Sequence, residues 1–222
     1  MADVKSGARL TTSQLILWPA IFTLAITILR LVGELKRWPM PWFNSTEGGA
    51  GALVGIVWLP LIFGPYFAFR VRFEIMGPQS MAKWVGYAVL GLAVSVAGLL
   101  ASLVPGIAPL ARLGLPILCL ALAAAIQYAV WPELIKVLVA YGYAARIPVV
   151  LMALLAMRHN WATHYNAFLP FLAQMSFWPK LLVAVAFPQL VGWVGYTVVS
   201  GSIAGAFAAS LLRRRPSQEV RS

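Results

Sequence analysis

Long apolar stretches separated by single charged residues dominate the chain. Five stretches without a charged residue reach the roughly 20 residues that an α-helix needs to cross a hydrocarbon core about 30 Å thick. A sixth crossing is predicted where Arg146 interrupts an apolar run whose two parts are too short to span separately. The predicted spans cover residues 12–35, 50–70, 83–104, 112–131, 134–157 and 181–211. The pattern predicts an all-α transmembrane helix bundle of about six spans, formed by the single domain 1–222.

The composition agrees with this pattern. Hydrophobic residues make up 61% of the 222 residues and charged residues only 10%, whereas soluble domains carry about a quarter charged residues. A soluble globular enzyme, a disordered chain and a coiled coil are therefore excluded. The first apolar run is too long for a removable signal peptide, so it is interpreted as a retained signal anchor. The single Cys119 excludes an internal disulfide and a Cys-x-x-Cys pair.

The distribution of Lys and Arg predicts the orientation. With the N-terminus inside, 10 of the 17 cations fall in cytoplasmic segments and 5 in outer ones, and the run Arg213-Arg214-Arg215 is the strongest element. Both termini are thus expected in the cytoplasm, with outer polar connections at 36–49 and 158–180. The net charge of +11 is too dispersed to indicate a nucleic-acid partner. The expected partner is the lipid bilayer, here the inner (plasma) membrane of a bacterium.

Rare polar side chains cluster in the two outer connections. Both histidines and Glu47 fall there. The predicted ligand-binding residues are His159, Asn160, His164, Arg158 and Asn44 from these connections, together with Arg146 from the fifth span. If the fifth helix continued through this segment, Asn160 and His164 would share a face, whereas His159 and His164 would be about 140° apart. That geometry disfavours a metal site built from His159, His164 and Glu47, so no metal is expected. The sequence identifies no cofactor.

The same groups suggest acid-base chemistry. His164 is a candidate base oriented by Glu47 or Asn160, with Tyr165 as a proton donor. Two alternatives compete with it. Glu47, together with the preceding Asn44-Ser45-Thr46, is also suited to cap the second helix. The histidine segment would equally suit an interfacial loop that binds water and lipid headgroups.

Arg146 is the unusual charge, because it lies about 18 Å from the inner end of the fifth span at 1.5 Å per residue. A cation at that depth is a functional candidate that needs a partner. The expected partners are the carbonyl of Ala144, Tyr141, Tyr143, Gln127, Gln189, or a bound anion such as an acidic lipid. Alternatively, the fifth span is 147–165 and Arg146 lies at the cytoplasmic interface. Arg30 and Glu34, four residues apart, are interpreted as a pair that satisfies itself.

Small residues in the last span include Gly201 and Gly205, whose spacing lets two helix backbones approach closely, within the chain or between two copies. Three functions are considered. The first is binding or transport of a small or lipid-like ligand through an outward-facing polar pocket. The second is a membrane-embedded enzyme that uses His164 and Glu47, and the third is a structural subunit of a membrane complex.

Overall fold

A computed structural model of the protein describes residues 10–49 and 51–212. These residues form six long helical segments and, within the described ranges, no strand. The segments are α1 (Thr12–Leu35), α2 (Leu59–Glu74), α3 (Met81–Ser102), α4 (Pro109–Tyr128), α5 (Pro132–Arg158) and α6 (Phe177–Leu211). Short turns of helix at Glu47–Gly49, His164–Asn166 and Pro170–Ala173 lie in the connections. The predicted all-α fold class is confirmed.

Five of the six segments are long and apolar enough to cross a membrane, judged by length and composition. The exception is α2, whose 16 residues rise about 24 Å at 1.5 Å per residue. It begins at Leu59 rather than near residue 50. Gly48, Gly49 and Gly51 adopt positive φ angles, which a right-handed helix does not contain, and residues 53–58 form bends and turns. The basic run Arg213-Arg214-Arg215, the strongest element of the predicted orientation, lies outside the described residues, as does Ala50.

The fifth helix is continuous from Pro132 through Arg146 to Arg158, and the chain leaves it at His159. This helix agrees with the predicted span 134–157 and not with the alternative 147–165. Asn160 has a φ of +50°, a left-handed conformation that no α-helix continues. The helix therefore does not continue through this segment, and the condition under which Asn160 and His164 would share a helical face is not met.

The sixth segment lies at the centre of the bundle, where it packs against α2, α3, α4 and α5. Its Gly201 approaches α2 so closely that a Cβ added to the facing Gly64 would overlap the Gly201 backbone. One turn later, a Cβ on Gly205 would lie 2.9 Å from the Cβ of Ala68. These small residues bring the two helix backbones into contact in the manner common to membrane bundles.

Two clusters of buried side chains fill the bundle. The larger one contains most of the buried aromatic rings, including Trp84 and Trp131, whose centroids lie 4.8 Å apart in a T-shaped arrangement. The smaller cluster joins α5 to α6 through Val149, Ala153 and Val185 and includes Tyr165 from the connection between those helices. Residues of this smaller cluster also line the cavity that contains the polar residues described below.

The first part of α6 departs from α-helical geometry. Leu181–Ala186 and Pro188–Gly192 are π-helical, and the regular α-helix begins at Trp193. Pro188 has no backbone N–H and cannot donate the regular helical hydrogen bond. π-helical turns are rare and often occur at functional sites, and here they form one wall of a cavity.

Candidate functional site

A buried carboxylate, Glu34, holds together two segments that are 130 residues apart. Its Oε1 accepts a hydrogen bond from Arg30 Nε at 2.9 Å, one turn earlier in α1, and this ion pair was predicted. Its Oε2 accepts from the backbone N–H of His164 at 2.9 Å, and the His164 Nδ1 lies 2.6 and 2.7 Å from its two oxygens. Arg30, Glu34 and His164 are called the Glu34 cluster below.

The connection after α1 packs against this cluster at two glycines, Gly49 and Gly55. Arg30 Nη2 donates to the carbonyl of Gly49 at 2.8 Å. A Cβ on Gly49 would overlap Arg30 Nη2 and lie 2.9 Å from His164 Cδ2, and its φ is +59°. Gly55 approaches the other side, since a Cβ there would lie 2.8 Å from Arg30 Nη1. Only glycine permits both the left-handed backbone at residue 49 and this close approach.

The hydrogen bonds fix the tautomer of His164. A carboxylate only accepts hydrogen bonds, so Nδ1 carries the hydrogen and the neutral ring has its lone pair on Nε2. Burial lowers the pKa of His164; the hydrogen bond to Glu34 opposes this effect and the charge of Arg30 adds to it. The neutral imidazole is therefore the resting form at pH 7.

Tyr165 lies beside His164, with its ring centroid 3.9 Å from that of the imidazole. Burial raises the pKa of Tyr165, an effect that the charge of Arg30 opposes. The hydroxyl consequently keeps its proton and is a hydrogen-bond donor. Tyr165 was predicted as a proton donor, and its position next to the imidazole is compatible with that role.

Arg146 is 5% exposed and lies about midway along α5. Its Nη1 donates to Gln189 Oε1 at 3.3 Å, and its guanidinium carbon lies 4.5 Å from the centre of the Trp193 ring. Gln189, one of the partners expected from the sequence, comes from the π-helical part of α6. The Nε of Arg146 is buried without a hydrogen-bond partner, and among the described residues no carboxylate forms an ion pair with Arg146.

A cavity of about 760 Å³ connects these groups. Arg30, Arg146, His164 and Glu47 line it together with the π-helical wall of α6, and much of the remaining surface is apolar. This space is called the polar cavity below. Four of the residues singled out in the sequence line this cavity, namely Glu47, His164, Tyr165 and Arg146.

The other predicted site residues lie elsewhere. His159 is exposed and stacks on Trp161, with centroids 5.7 Å apart, while Arg158 is exposed near the Phe177 ring. Asn160 is exposed, and the Asn44 side chain accepts a hydrogen bond from the backbone of Thr46. None of these four residues is among those that line the polar cavity.

Glu47 does not cap the second helix, as one alternative expected. It is exposed and opens a three-residue turn at Glu47–Gly49, twelve residues before α2 begins at Leu59. The carboxylate that orients His164 is instead Glu34, which sequence reasoning missed because Arg30 appeared to satisfy it. The only signal was that Glu34 is one of six acidic residues in the chain and lies at the predicted outer end of α1.

Within the described ranges, no group of three or more His, Cys, Asp or Glu side chains is placed to hold a metal ion. The polar side chains that line the cavity are those of Thr27, Arg30, Glu47, Arg146, His164, Tyr165 and Gln189. Comparisons with protein-family models, curated proteins and solved structures found no match, so the function has to be inferred from this geometry.

Proposed function

We propose that the protein binds a small amphiphilic anion in the polar cavity. The observation that carries the proposal is Arg146, a buried cation on the cavity wall whose Nε has no hydrogen-bond partner. A buried charge is costly unless it is paired and hydrogen-bonded. The neutral amide of Gln189 and the ring of Trp193 supply neither a full charge nor a complete set of acceptors. A bound carboxylate or phosphate would supply both.

The pairing of charges around the cavity leaves Arg146 without a carboxylate. Arg30 is paired with Glu34, whereas Glu47, which also lines the cavity, is exposed and forms no ion pair with Arg146 among the described residues. The guanidinium carbon of Arg146 lies 4.5 Å from the centre of the Trp193 ring, and a guanidinium group is suited to planar contact with an oxyanion.

The size and walls of the cavity indicate that the ligand also has an apolar part. A volume of about 760 Å³ lies within the range of small-molecule sites, roughly 300–1,000 Å³. Phe168, Leu169 and Leu172 line the cavity on the side of the α5–α6 connection, and Val149 and Ala153 line it along α5. Such walls suit an alkyl or acyl chain attached to the anionic group.

The position of the cavity favours binding over passage through the bundle. Its lining residues lie between the connections at one end of the bundle and Arg146, which is about midway along α5. With both termini in the cytoplasm, as the Lys and Arg distribution predicts, this end faces outward. The ligand would then enter from the outer leaflet or from the solution above it.

The test uses the full chain in nanodiscs of neutral lipid and measures the affinity for dodecyl phosphate. Arg146→Met should raise the Kd by about tenfold or more, because a desolvated charge contact is lost. The matched control Arg158→Met removes an exposed arginine of the same helix and should leave the Kd unchanged. Dodecanol should bind much more weakly than dodecyl phosphate.

Inorganic phosphate serves as a competitor that distinguishes a lipid-like ligand from a free anion. Weak competition supports the amphiphile, whereas competition as strong as that of dodecyl phosphate would assign the site to a free anion. Equal affinity of the wild type and Arg146→Met for dodecyl phosphate would overturn the proposal.

A further inference from the structure

The Glu34–His164 pair has the geometry of a general base held by a carboxylate. His164 Nδ1 lies 2.6 and 2.7 Å from the two oxygens of Glu34, and the backbone N–H of the same residue also donates to Glu34. These bonds fix both the tautomer and the plane of the ring. An imidazole oriented in this way accepts a proton at Nε2, as in hydrolases that pair a carboxylate with a histidine.

The His164 ring has access to the cavity. Its Nδ1 faces Glu34, and a Cβ added to Gly49 would lie 2.9 Å from its Cγ and Cδ2. The side chain is 15% exposed and lines the polar cavity, and Nε2 is not among the fully buried side-chain atoms that lack a partner. Among the described residues, Nε2 has no hydrogen-bond partner.

The simpler interpretation is that the pair only fastens the α5–α6 connection to α1. Two observations favour a further role. A fastening needs no access to the cavity, yet the imidazole has it. Tyr165, a donor beside the ring, and Arg146, a cation short of partners, line the same space. The cavity therefore combines a base, a hydroxyl donor and positive charge.

We propose that the polar cavity hydrolyses the carboxylic ester of an anionic amphiphile, with His164 as the general base. This inference rests on the proposed binding function, because the bound anion is the substrate. Water is the second reactant, and Glu34 is a positioning residue. Arg146 holds the anionic group of the substrate, so the Tyr165 hydroxyl and the charge of Arg30 are the lining groups suited to negative charge on the carbonyl oxygen.

The step balances without an oxidant or reductant. Nε2 takes a proton from water while the water oxygen bonds to the carbonyl carbon, and the carbonyl oxygen becomes negative. The bond from that carbon to the ester oxygen then breaks, and the proton on Nε2 goes to the departing alkoxide. The products are an alcohol and a carboxylic acid, which loses its proton to solvent. One base and one site of developing charge suffice for this acyl transfer.

The test uses full-length protein in nanodiscs and oleoyl lysophosphatidic acid, an amphiphile with one carboxylic ester and one phosphate. Release of oleate reports turnover, and the ether-linked analogue, which has no ester, reports binding. His164→Asn keeps an N–H donor near the position of Nδ1 but has no atom equivalent to Nε2. Its kcat should fall by about 100-fold or more, with the Kd for the ether analogue unchanged.

The matched control is His159→Asn, which changes the exposed histidine outside the cavity and should leave kcat unchanged. A role in fastening alone predicts that His164→Asn lowers the melting temperature or the affinity for the ether analogue and leaves the kcat of the folded fraction intact. That outcome overturns the inference, as does wild-type protein that releases no more oleate than empty nanodiscs.

The two proposals fail in different ways. Binding of the ether analogue that depends on Arg146 but occurs without any ester hydrolysis leaves the binding function standing and rejects hydrolysis. Hydrolysis that is equally fast in Arg146→Met would reject Arg146 as the anion-binding residue and leave His164 as the base.

Discussion

Arg146 and two members of the Glu34 cluster, Arg30 and His164, line one cavity, but the cluster and Arg146 differ in how fully their polar atoms are hydrogen-bonded. The Glu34 carboxylate receives N–H groups from Arg30 Nε, His164 Nδ1 and the His164 backbone, all at 2.9 Å or less. Arg146 makes one hydrogen bond of 3.3 Å to a neutral amide, and its Nε has no partner. Buried polar groups in folded proteins are nearly always satisfied. The contrast indicates that the contacts of Glu34 stabilise the fold, and it supports the proposal that Arg146 contacts a ligand.

The largest expected effect comes from removing one member of the satisfied group. Glu34→Ala leaves the Arg30 guanidinium and two N–H groups of His164 without their acceptor, so the free energy of unfolding should fall by about 3–5 kcal/mol. Arg146→Met, in contrast, replaces an incompletely satisfied charge with an apolar side chain of similar length and should leave stability unchanged or higher. Chemical denaturation in detergent measures both variants.

The control for Glu34→Ala is Glu74→Ala, which breaks the partly exposed Arg70–Glu74 ion pair at the other end of the bundle. It should cost about 1 kcal/mol or less, because partly exposed pairs contribute little. If Arg146→Met destabilises the protein as much as Glu34→Ala, the distinction between the two regions is wrong.

A smaller effect should follow from adding a methyl group where the connection closes over the cluster. Gly49→Ala places a Cβ against Arg30 and His164 in a left-handed backbone, whereas Gly51→Ala has a similar φ of +79° but nothing within 4 Å of its Cβ. The backbone strain shared by both changes is about 1–2 kcal/mol. The amount by which Gly49→Ala lowers the melting temperature more than Gly51→Ala therefore measures the contact of the added Cβ with Arg30 and His164. Equal melting temperatures for the two variants would show that the cluster tolerates displacement of the loop.

The smallest expected effect is on pH dependence. Because burial lowers the pKa of His164 below its ordinary 6.5, the unfolded chain binds more protons than the folded one as the pH falls. Stability from this group is therefore fully present above pH 6.5 and is lost as the pH falls through the lower pKa of the folded state. The melting temperature of the wild type should decrease on acidification.

The charged groups that face His164 are Glu34 and Arg30 from α1, and the same cavity is lined by Glu47 and by Arg146 from α5. The comparison with His164→Asn isolates the imidazole, since all of these groups remain in the variant. An equal fall of the melting temperature in both proteins would assign the pH dependence to one of those other groups.

Two kinds of interaction were predictable from the sequence: those within one helix, and those between the few polar side chains of the apolar spans. The Arg30–Glu34 pair follows from spacing of four residues along a helix, and Arg146 is conspicuous because a charge interrupts an apolar run. Gln189 was among the expected partners of Arg146, because few polar side chains occur in the apolar spans. Because the spans contain so few polar residues, the possible partners of a buried charge are few enough to be named.

Contacts that depend on the path of the irregular segments between the helices were not predictable from the sequence. Glu34 and His164 are 130 residues apart, and their meeting depends on where two irregular segments fold back onto α1. The sequence placed Glu34 and Glu47 near the same end of the bundle but offered no means of ranking them for contact with His164. The positive φ angles at Gly48, Gly49 and Asn160 decide these paths, and single-residue conformations of that kind leave no periodic signal in the sequence.

The π-helical turns of α6 divide the helix into two parts whose side chains point in independently set directions around the helix axis, here called the phase of each part. Successive residues of a regular α-helix are about 100° apart, so a turn that holds extra residues rotates everything on one side of it relative to the other. The phase beyond Trp193 is set by the glycine contact with α2, whereas the phase before it decides whether Gln189 faces Arg146. Insertion or deletion of a single residue between 181 and 192 would therefore change what the cavity presents while leaving the contact between α2 and α6 in place.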